Sequence, residues 1–525
     1  MRHDLEFLSV PNVVRVAARR FGDAPALVDD DLRLTFRELE KGMMQAVRSA
    51  LALGIGPGDR VGLCAPNSAA WILAALGIQG AGGVVVPLNT RFKAAEISYI
   101  LRKSGAKALF AAASFLGSDY IADLTDAAPE LPALRTVVSI PGGSQSGLSW
   151  RQFLTGGEKV TEAAAHASID RLTPDHVSDV MFTSGTTGHP KGVILTHGQT
   201  LRAYGWMSTE YTFDASDRFL VIPPFFHCFG YKAGWLASLM HGVTVIPMAV
   251  FDAGRALEIV QAERVSIVLG PPTIFHDLLN HPRRSSYDLS SLRVSMTGGT
   301  TVPESLIRAM KKDLSFDIVL SAYGLTESTA LVTTTRVGDS EETVARTTGR
   351  AIPAVEVRIA DDTGQNVPAG EAGEVLVRGY NVTRGYWDDP AATAETIDRD
   401  GWLHTGDIGS LDTDGNLTIV DRKKEMFIVG GFNAYPAEIE KLLLGYEPIA
   451  QAAVIGVPDE RLGEVGCAFV VPRPGADVTP EDVIAWARNH MANFKVPRRV
   501  RLVDQLPRNA SQKVLKHELR ARLGS

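Results

Sequence analysis

The residues best equipped for chemistry lie in the run TSGTTGHPK, which follows the apolar Val180, Met181 and Phe182. Thr183, Ser184, Gly185, Thr186, Thr187 and Gly188 bring hydroxyls and unobstructed backbone N–H groups, and Lys191 adds a full positive charge. Such groups turned over one loop form a concave anion site, and phosphate is the anion they suit. The pattern is not the nucleotide loop that ends Gly-Lys-Ser/Thr and opens a helix, because Lys191 stands between Pro190 and Gly192. GTPase and motor readings therefore fall.

Four further segments carry candidate groups in chain order. They are PPFFH at 223–227, TGGT at 297–300, SAYGLTE at 321–327 and WLHTGD at 402–407. A fifth, PRNASQKV at 507–514, places Lys513 near the end of the chain.

Together with the anion loop, these segments resemble the ANL superfamily of adenylate-forming enzymes, and within it the acyl-CoA synthetases, over about residues 10–519. The resemblance implies ATP, Mg²⁺ and coenzyme A as cofactors and a small-molecule carboxylic acid as substrate. It assigns the β and γ phosphates to the 183–191 loop, and the adenine and acyl wall to Gly298, Gly299 and Thr300. Ser321, Ala322 and Gly324 belong to the same nucleotide wall, in which Tyr323 offers a face to the purine and Thr326 a hydroxyl to the α-phosphate. Glu327 is the hard oxygen ligand that Mg²⁺ prefers.

Asp407 falls at the ribose position, where an ionised oxygen accepts hydrogen bonds more strongly than a neutral one. Arg422 is expected on the same ribose, Asp421 as the hinge, and His227 as the gate between the acyl pocket and the reacting carboxylate. Gly430, Gly431 and Phe432 resemble the lining of the pantetheine tunnel. Lys513 matches the catalytic lysine, although Gln512 stands where the family usually has glycine. A glycine often licenses a special backbone shape, so this departure bears on the loop around the lysine.

The implied reaction has two steps: carboxylate attack on the α-phosphorus of ATP, then attack of the CoA thiol on the acyl-adenylate. The run PFFHCFGYKAGW at 224–235 resembles actinobacterial ligases that activate propanoate side chains on partly degraded sterol rings. A bulky alicyclic acid is therefore the preferred substrate, with medium-chain fatty and aryl acids open. The rivals are a stand-alone adenylation enzyme that loads a carrier protein and a non-catalytic acyl- or nucleotide-binding protein.

These groups need a scaffold, and the pattern around them supplies one. Apolar runs at 219–223, 243–247, 266–269, 294–297 and 318–321 alternate with helical patterns such as 256–263 and 304–312. That alternation predicts parallel sheet covered by helices. From about 355 to 420 the strands are close-set with turns at 361–364 and 414–415, which predicts hairpins in a small β-barrel-like subdomain. After Asp421 a helix opens at Pro436 and a second α/β pattern follows. The expected division is a large α/β domain over 1–421, with mixed sheets, and a small mobile α+β domain over 422–525 that carries the lysine.

Length and composition agree with a multidomain globular enzyme: 525 residues, 45% hydrophobic, 22% charged and a net charge of -7. Residues 495–525 hold nine Lys/Arg against Asp504 and Glu518, so ATP and CoA phosphates become their expected partners, and no nucleic acid is required. Three distant cysteines, Cys64, Cys228 and Cys467, suit a reducing compartment, and with no apolar leader this predicts a cytoplasmic protein. The resemblance leaves room for a homodimer. The uncharged stretch 61–90 is long enough to span a bilayer, but Pro66, Asn67 and Ser68 and a cluster of glycines predict a capped helix, a turn and a buried strand.

Overall fold

β-branched runs buried on both faces need helices on both sides, and the strands of this chain find that arrangement twice. The computed structural model describes residues 2–523 apart from 118, 128–130, 142–146, 184–189, 299–301, 303, 423–424, 430–431, 460, 492 and 510–513. Among the described residues the strands form four sheets. In a nine-stranded sheet, Thr244–Pro247, Arg218–Val221, Ile267–Gly270, Val294–Gly298 and Ile318–Tyr323 lie side by side and parallel. These are the five runs expected as strands. Parallel pairing brings their C-terminal ends to one edge, where ligands of open α/β sheets bind.

A seven-stranded sheet, largely parallel, ends in the antiparallel pair Val177–Thr183 and Lys191–Thr196. Thr183 stands directly opposite Lys191, so residues 184–190 connect the two strands of a hairpin. The third sheet is antiparallel and orders Val355–Ala360, Gly373–Gly379, Leu403–Leu411 and Leu417–Arg422, as the turn signals suggested. The fourth holds five short or medium strands between Phe427 and Leu502. Its apolar core is drawn from Phe427 to Leu519 alone, separate from the larger cores that cover the first three sheets.

The uncharged stretch resolves as expected. Ser68 caps the helix Ala69–Gly80 by accepting from the Trp71 N–H at 3.2 Å, Gly82 turns the chain at φ +88°, and Val84–Pro87 is a fully buried strand. Among the described residues no helix is long and apolar enough to cross a membrane. All three cysteines are unpaired and buried, and burial pushes the thiols of Cys64 and Cys228 up to about 12, which leaves them inert.

Candidate active site

At the common strand edge a cavity of about 980 Å³ is shared between the large sheets and the C-terminal core. Its apolar side is formed by Ile222, Pro223, Phe226, Phe229, Val250 and Ile274. Its polar side holds Gly298, Ser321, Ala322, Tyr323, Gly324 and Asp407. Arg508, Val514 and Lys516 close it from the C-terminal part. Residues nearly three hundred positions apart in the chain, such as Ile222 and Lys516, thus share one space.

The polar side is built by strand geometry. Tyr323 ends a strand of the nine-stranded sheet, and its hydroxyl donates to Asp407 Oδ2 at 2.6 Å. Asp407 follows Gly406, whose φ of +67° a side chain would strain, and its own N–H donates to the Thr405 hydroxyl at 3.1 Å. Across the ladder Asp407 faces Arg422, and Ile408 faces Asp421. Two features keep the wall bare: a Cβ on Gly298 would sit 2.6 Å from the Ala322 carbonyl oxygen, and one on Gly324 would sit 2.3 Å from the Ala330 carbonyl carbon.

Lys191, Thr326 and Glu327 stand outside the cavity lining, and Tyr386, which belongs to none of the motifs, joins Lys191 to Glu327. Tyr386 donates its hydroxyl to Glu327 Oε1 at 2.9 Å, and the Lys191 ammonium lies 5.1 Å from the centre of its ring. Lys191 therefore meets a π-face and Glu327 keeps a second oxygen for another partner. No cluster of three or more metal-binding side chains occurs among the described residues. One carboxylate with an oxygen left over from Tyr386 nevertheless suits Mg²⁺, which commonly takes one or two carboxylates and completes its shell with substrate phosphates and water.

The segment that carries His227 is held from behind. His227 follows strand Arg218–Val221 and precedes a π-helical turn, Phe229–Leu236. Asn67 donates to the carbonyls of Val221, Ile222 and Pro223 at 3.2, 3.4 and 3.0 Å, and its Oδ1 accepts from the Phe225 N–H at 2.7 Å. Gly230 is obligatory here, because a Cβ would meet the Pro223 carbonyl oxygen at 2.1 Å. The His227 side chain is exposed to the cavity, and the protein packed around that cavity disfavours its charged form and lowers its pKa below 6.5. Its Nδ1 accepts from the Phe229 N–H at 3.2 Å, which places the proton of the neutral ring on Nε2.

On the C-terminal side, Asp421 Oδ2 accepts from the Ala437 N–H at 2.8 Å and ties the helix Pro436–Leu443 to the preceding strand. Lys516 lies 2.9 Å from both Glu425 and Glu440. Burial opposes its charge, but the carboxylates of Glu440, Glu425 and Asp421 outweigh it and raise the ammonium pKa above 10.5. Lys516 is thus a partner of carboxylates, where the sequence reading counted it among cations available to phosphate. Ser184, Gly185, Thr186, Thr187, Gly188, Gly299, Thr300, Gly430, Gly431, Gln512 and Lys513 lie outside the described residues, as do the side chains of Arg422 and Phe432. Asn67 and Tyr386 carried no motif; only the Pro66-Asn67 turn and an aromatic beside Gly385 marked them.

With this geometry in place, comparison with known proteins is informative. Residues 14–387 match the model of the AMP-binding enzyme family, and 438–513 match the AMP-binding enzyme C-terminal domain. A 3-[(3aS,4S,7aS)-7a-methyl-1,5-dioxo-octahydro-1H-inden-4-yl]propanoyl:CoA ligase of Mycobacterium tuberculosis is 50% identical over 98% of each chain. The Rhodococcus jostii ligase of the same name is 48% identical, again over 98% of each. Among solved structures, an anthranilate CoA ligase, AuaEII, in complex with anthranoyl-AMP superposes with a TM-score of 0.89 at 26% identity, covering 99% of this chain and 98% of that one.

Proposed function

Because the chain belongs to the AMP-binding enzyme family, as an acyl-CoA ligase of the ANL superfamily, we propose that it joins CoA to the side-chain carboxylate of an alicyclic, steroid-ring-derived propanoic acid. The observation that carries this substrate class is 50% identity, end to end, with a ligase named for a dioxo-octahydroindenyl propanoate. The apolar wall of the cavity, with Pro223, Phe226 and Phe229, suits a bulky ring system.

A carboxylate resists thiol attack, since oxide would have to leave, so activation precedes transfer. In the first step one carboxylate oxygen attacks the α-phosphorus of ATP, the bond to the bridging oxygen breaks and pyrophosphate departs. In this reading Thr183 and Lys191, with the loop between them, hold the β and γ phosphates. Asp407 accepts from the ribose hydroxyls together with Arg422, Tyr323 stacks on the adenine, and Thr326 donates to the α-phosphate. Bound Mg²⁺ would be held by Glu327 and would neutralise phosphate charge. Lys513 donates to the oxygens on which negative charge grows, a kind of stabilisation worth about 10²–10³ in rate.

In the second step the thiol of CoA attacks the acyl carbonyl and AMP leaves. We assign Asp421 as the hinge between a domain over 1–421 and a mobile domain over 422–525, so that Gly430, Gly431 and Phe432 reach the pantetheine after rotation. Three unpaired cysteines support a cytoplasmic setting. The test is a panel of carboxylates, bicyclic, medium-chain and aryl, assayed for acid-dependent pyrophosphate release and then for thioester. Preference for a linear medium-chain acid by tenfold or more would overturn the substrate class and leave the ligase assignment standing.

A further inference from the structure

The PFFHCFGYKAGW run holds a charge that the chemistry above leaves unused. Lys232 is wholly buried, and its ammonium lies 3.0 Å from Oδ1 of Asp179, also wholly buried. The same ammonium donates to the Thr200 hydroxyl at 3.0 Å, and the Ser178 hydroxyl donates to Asp179 Oδ2 at 2.6 Å. Burying two charges costs several kcal/mol per ion, and an apolar pair of similar volume often gives equal or greater stability. Stability is therefore a weak account of the pair, and its location offers a better one.

Asp179 lies on strand Val177–Thr183, which runs into the phosphate loop, and Lys232 lies on the π-helical turn that follows His227. The two elements meet at a second point, where Cys228 Sγ approaches Met181 Sδ at 3.1 Å. Positions 228 and 232 are one helical turn apart, and positions 181 and 179 share one face of the strand. Two contacts in this order hold the gate and the phosphate strand in a single register. Gln79 adds a brace, donating to the Ser178 carbonyl at 3.0 Å and to the Tyr231 hydroxyl at 2.7 Å. Packing alone is non-directional and would let the turn slide along the strand, whereas an ion pair with fixed hydrogen-bond partners resists sliding.

We propose that Lys232 and Asp179 are positioning residues which lock the acid gate to the phosphate strand and so make binding of acid and nucleotide interdependent. This rests on the assignment of the phosphates to the 183–191 loop and of the acid to the His227 side.

The test is calorimetric titration of the full chain with the bicyclic propanoate, with and without α,β-methylene-ATP. In the wild-type chain the analogue is expected to tighten acid binding about tenfold, within the usual range for coupled sites. Asp179→Leu/Lys232→Met replaces the pair with apolar groups. It is expected to bind each ligand alone while the coupling falls below about twofold. Thr200→Val removes one lysine contact and leaves no unpaired buried charge, so its coupling should lie between the two. No coupling in the wild-type chain, or full coupling in a folded double variant, overturns the proposal. If the double variant does not fold, wild-type coupling in Thr200→Val overturns it. Failure of the wild-type chain to bind the analogue would instead sink the phosphate assignment on which the proposal stands. If only another carboxylate of the panel binds, that acid becomes the probe and only the substrate reading fails.

Discussion

Gly230→Ala perturbs the segment around His227, proposed above as the acid gate, without touching a titratable group. The added Cβ would lie 2.1 Å from the Pro223 carbonyl oxygen and 2.4 Å from that of Pro224. An ordinary contact between carbon and carbonyl oxygen is about 3.3 Å or more, so one side must retreat by about 1 Å. The glycine sits on the π-helical turn and the carbonyls belong to the segment that Asn67 clamps, so neither side yields freely. Overpacking of this kind costs about 1–3 kcal/mol. The Pro224 carbonyl also accepts from the His227 N–H at 3.0 Å, so its displacement carries the gate with it. A shift of 1 Å at a reacting centre can cost about 10²-fold in rate. We expect kcat/KM for the acid to fall by about 10- to 100-fold while the affinity for ATP changes by less than about threefold. Acid-dependent pyrophosphate release, read beside urea unfolding, separates the two. Unchanged acid kinetics with an unchanged unfolding midpoint would refute the steric reasoning.

Three more outcomes follow from buried charges and hydrogen bonds. Burial holds His197 at about 3 and His241 at about 4, so both are neutral in the fold and take up a proton near 6.5 on unfolding. Their contribution is full above 6.5 and is lost as the pH falls toward those values. At pH 5 the two together cost roughly 4 kcal/mol, and an unfolding midpoint equal at pH 7.5 and 5 would contradict this. Lys516→Met leaves Glu425 and Glu440 without their cation, at a cost of about 3–5 kcal/mol to the C-terminal core. The raised pKa of Lys516 means that this contribution is full below about 10.5 and lost only as the pH rises through the raised value. Hydrogen exchange of the strands between Ile449 and Pro472 reads the loss directly, and wild-type protection would argue against it. Tyr323→Phe removes the donor to Asp407 and should weaken AMP binding about tenfold; an unchanged dissociation constant would remove Asp407 from the ribose.

Much of the fold was legible because its signals are local. Alternating apolar runs announced the parallel strands, and the turns at 361–364 and 414–415 announced the antiparallel sheet. The 183–191 run stood out as a candidate anion site for the same reason, since its hydroxyls, glycines and lysine are contiguous. What stayed hidden depends on contacts far apart in the chain. Pro66, Asn67 and Ser68 were read as one helix cap, yet Ser68 alone caps, while Asn67 reaches across to Val221 and Phe225. Tyr386 stood in no motif, and only the fold brings it to Glu327 and Lys191. Nothing in the run around Lys232 marked its ion pair, because its partner Asp179 precedes it by more than fifty residues. Lys516 was grouped with the basic tail because net charge carries no information about which carboxylates a helix end will meet.

In the proposed reaction this cavity converts a bicyclic propanoate to its CoA thioester through an adenylate. The most direct measurement incubates the purified chain with ATP, Mg²⁺, CoA and the dioxo-octahydroindenyl propanoate and quantifies every product by mass spectrometry. One acyl-CoA for each AMP and each pyrophosphate is expected, with acyl-adenylate accumulating when CoA is omitted and none of these products from a Lys513→Ala chain above about one hundredth of the rate. ADP and phosphate in place of AMP and pyrophosphate, or thioester formed without adenylate, would contradict the account.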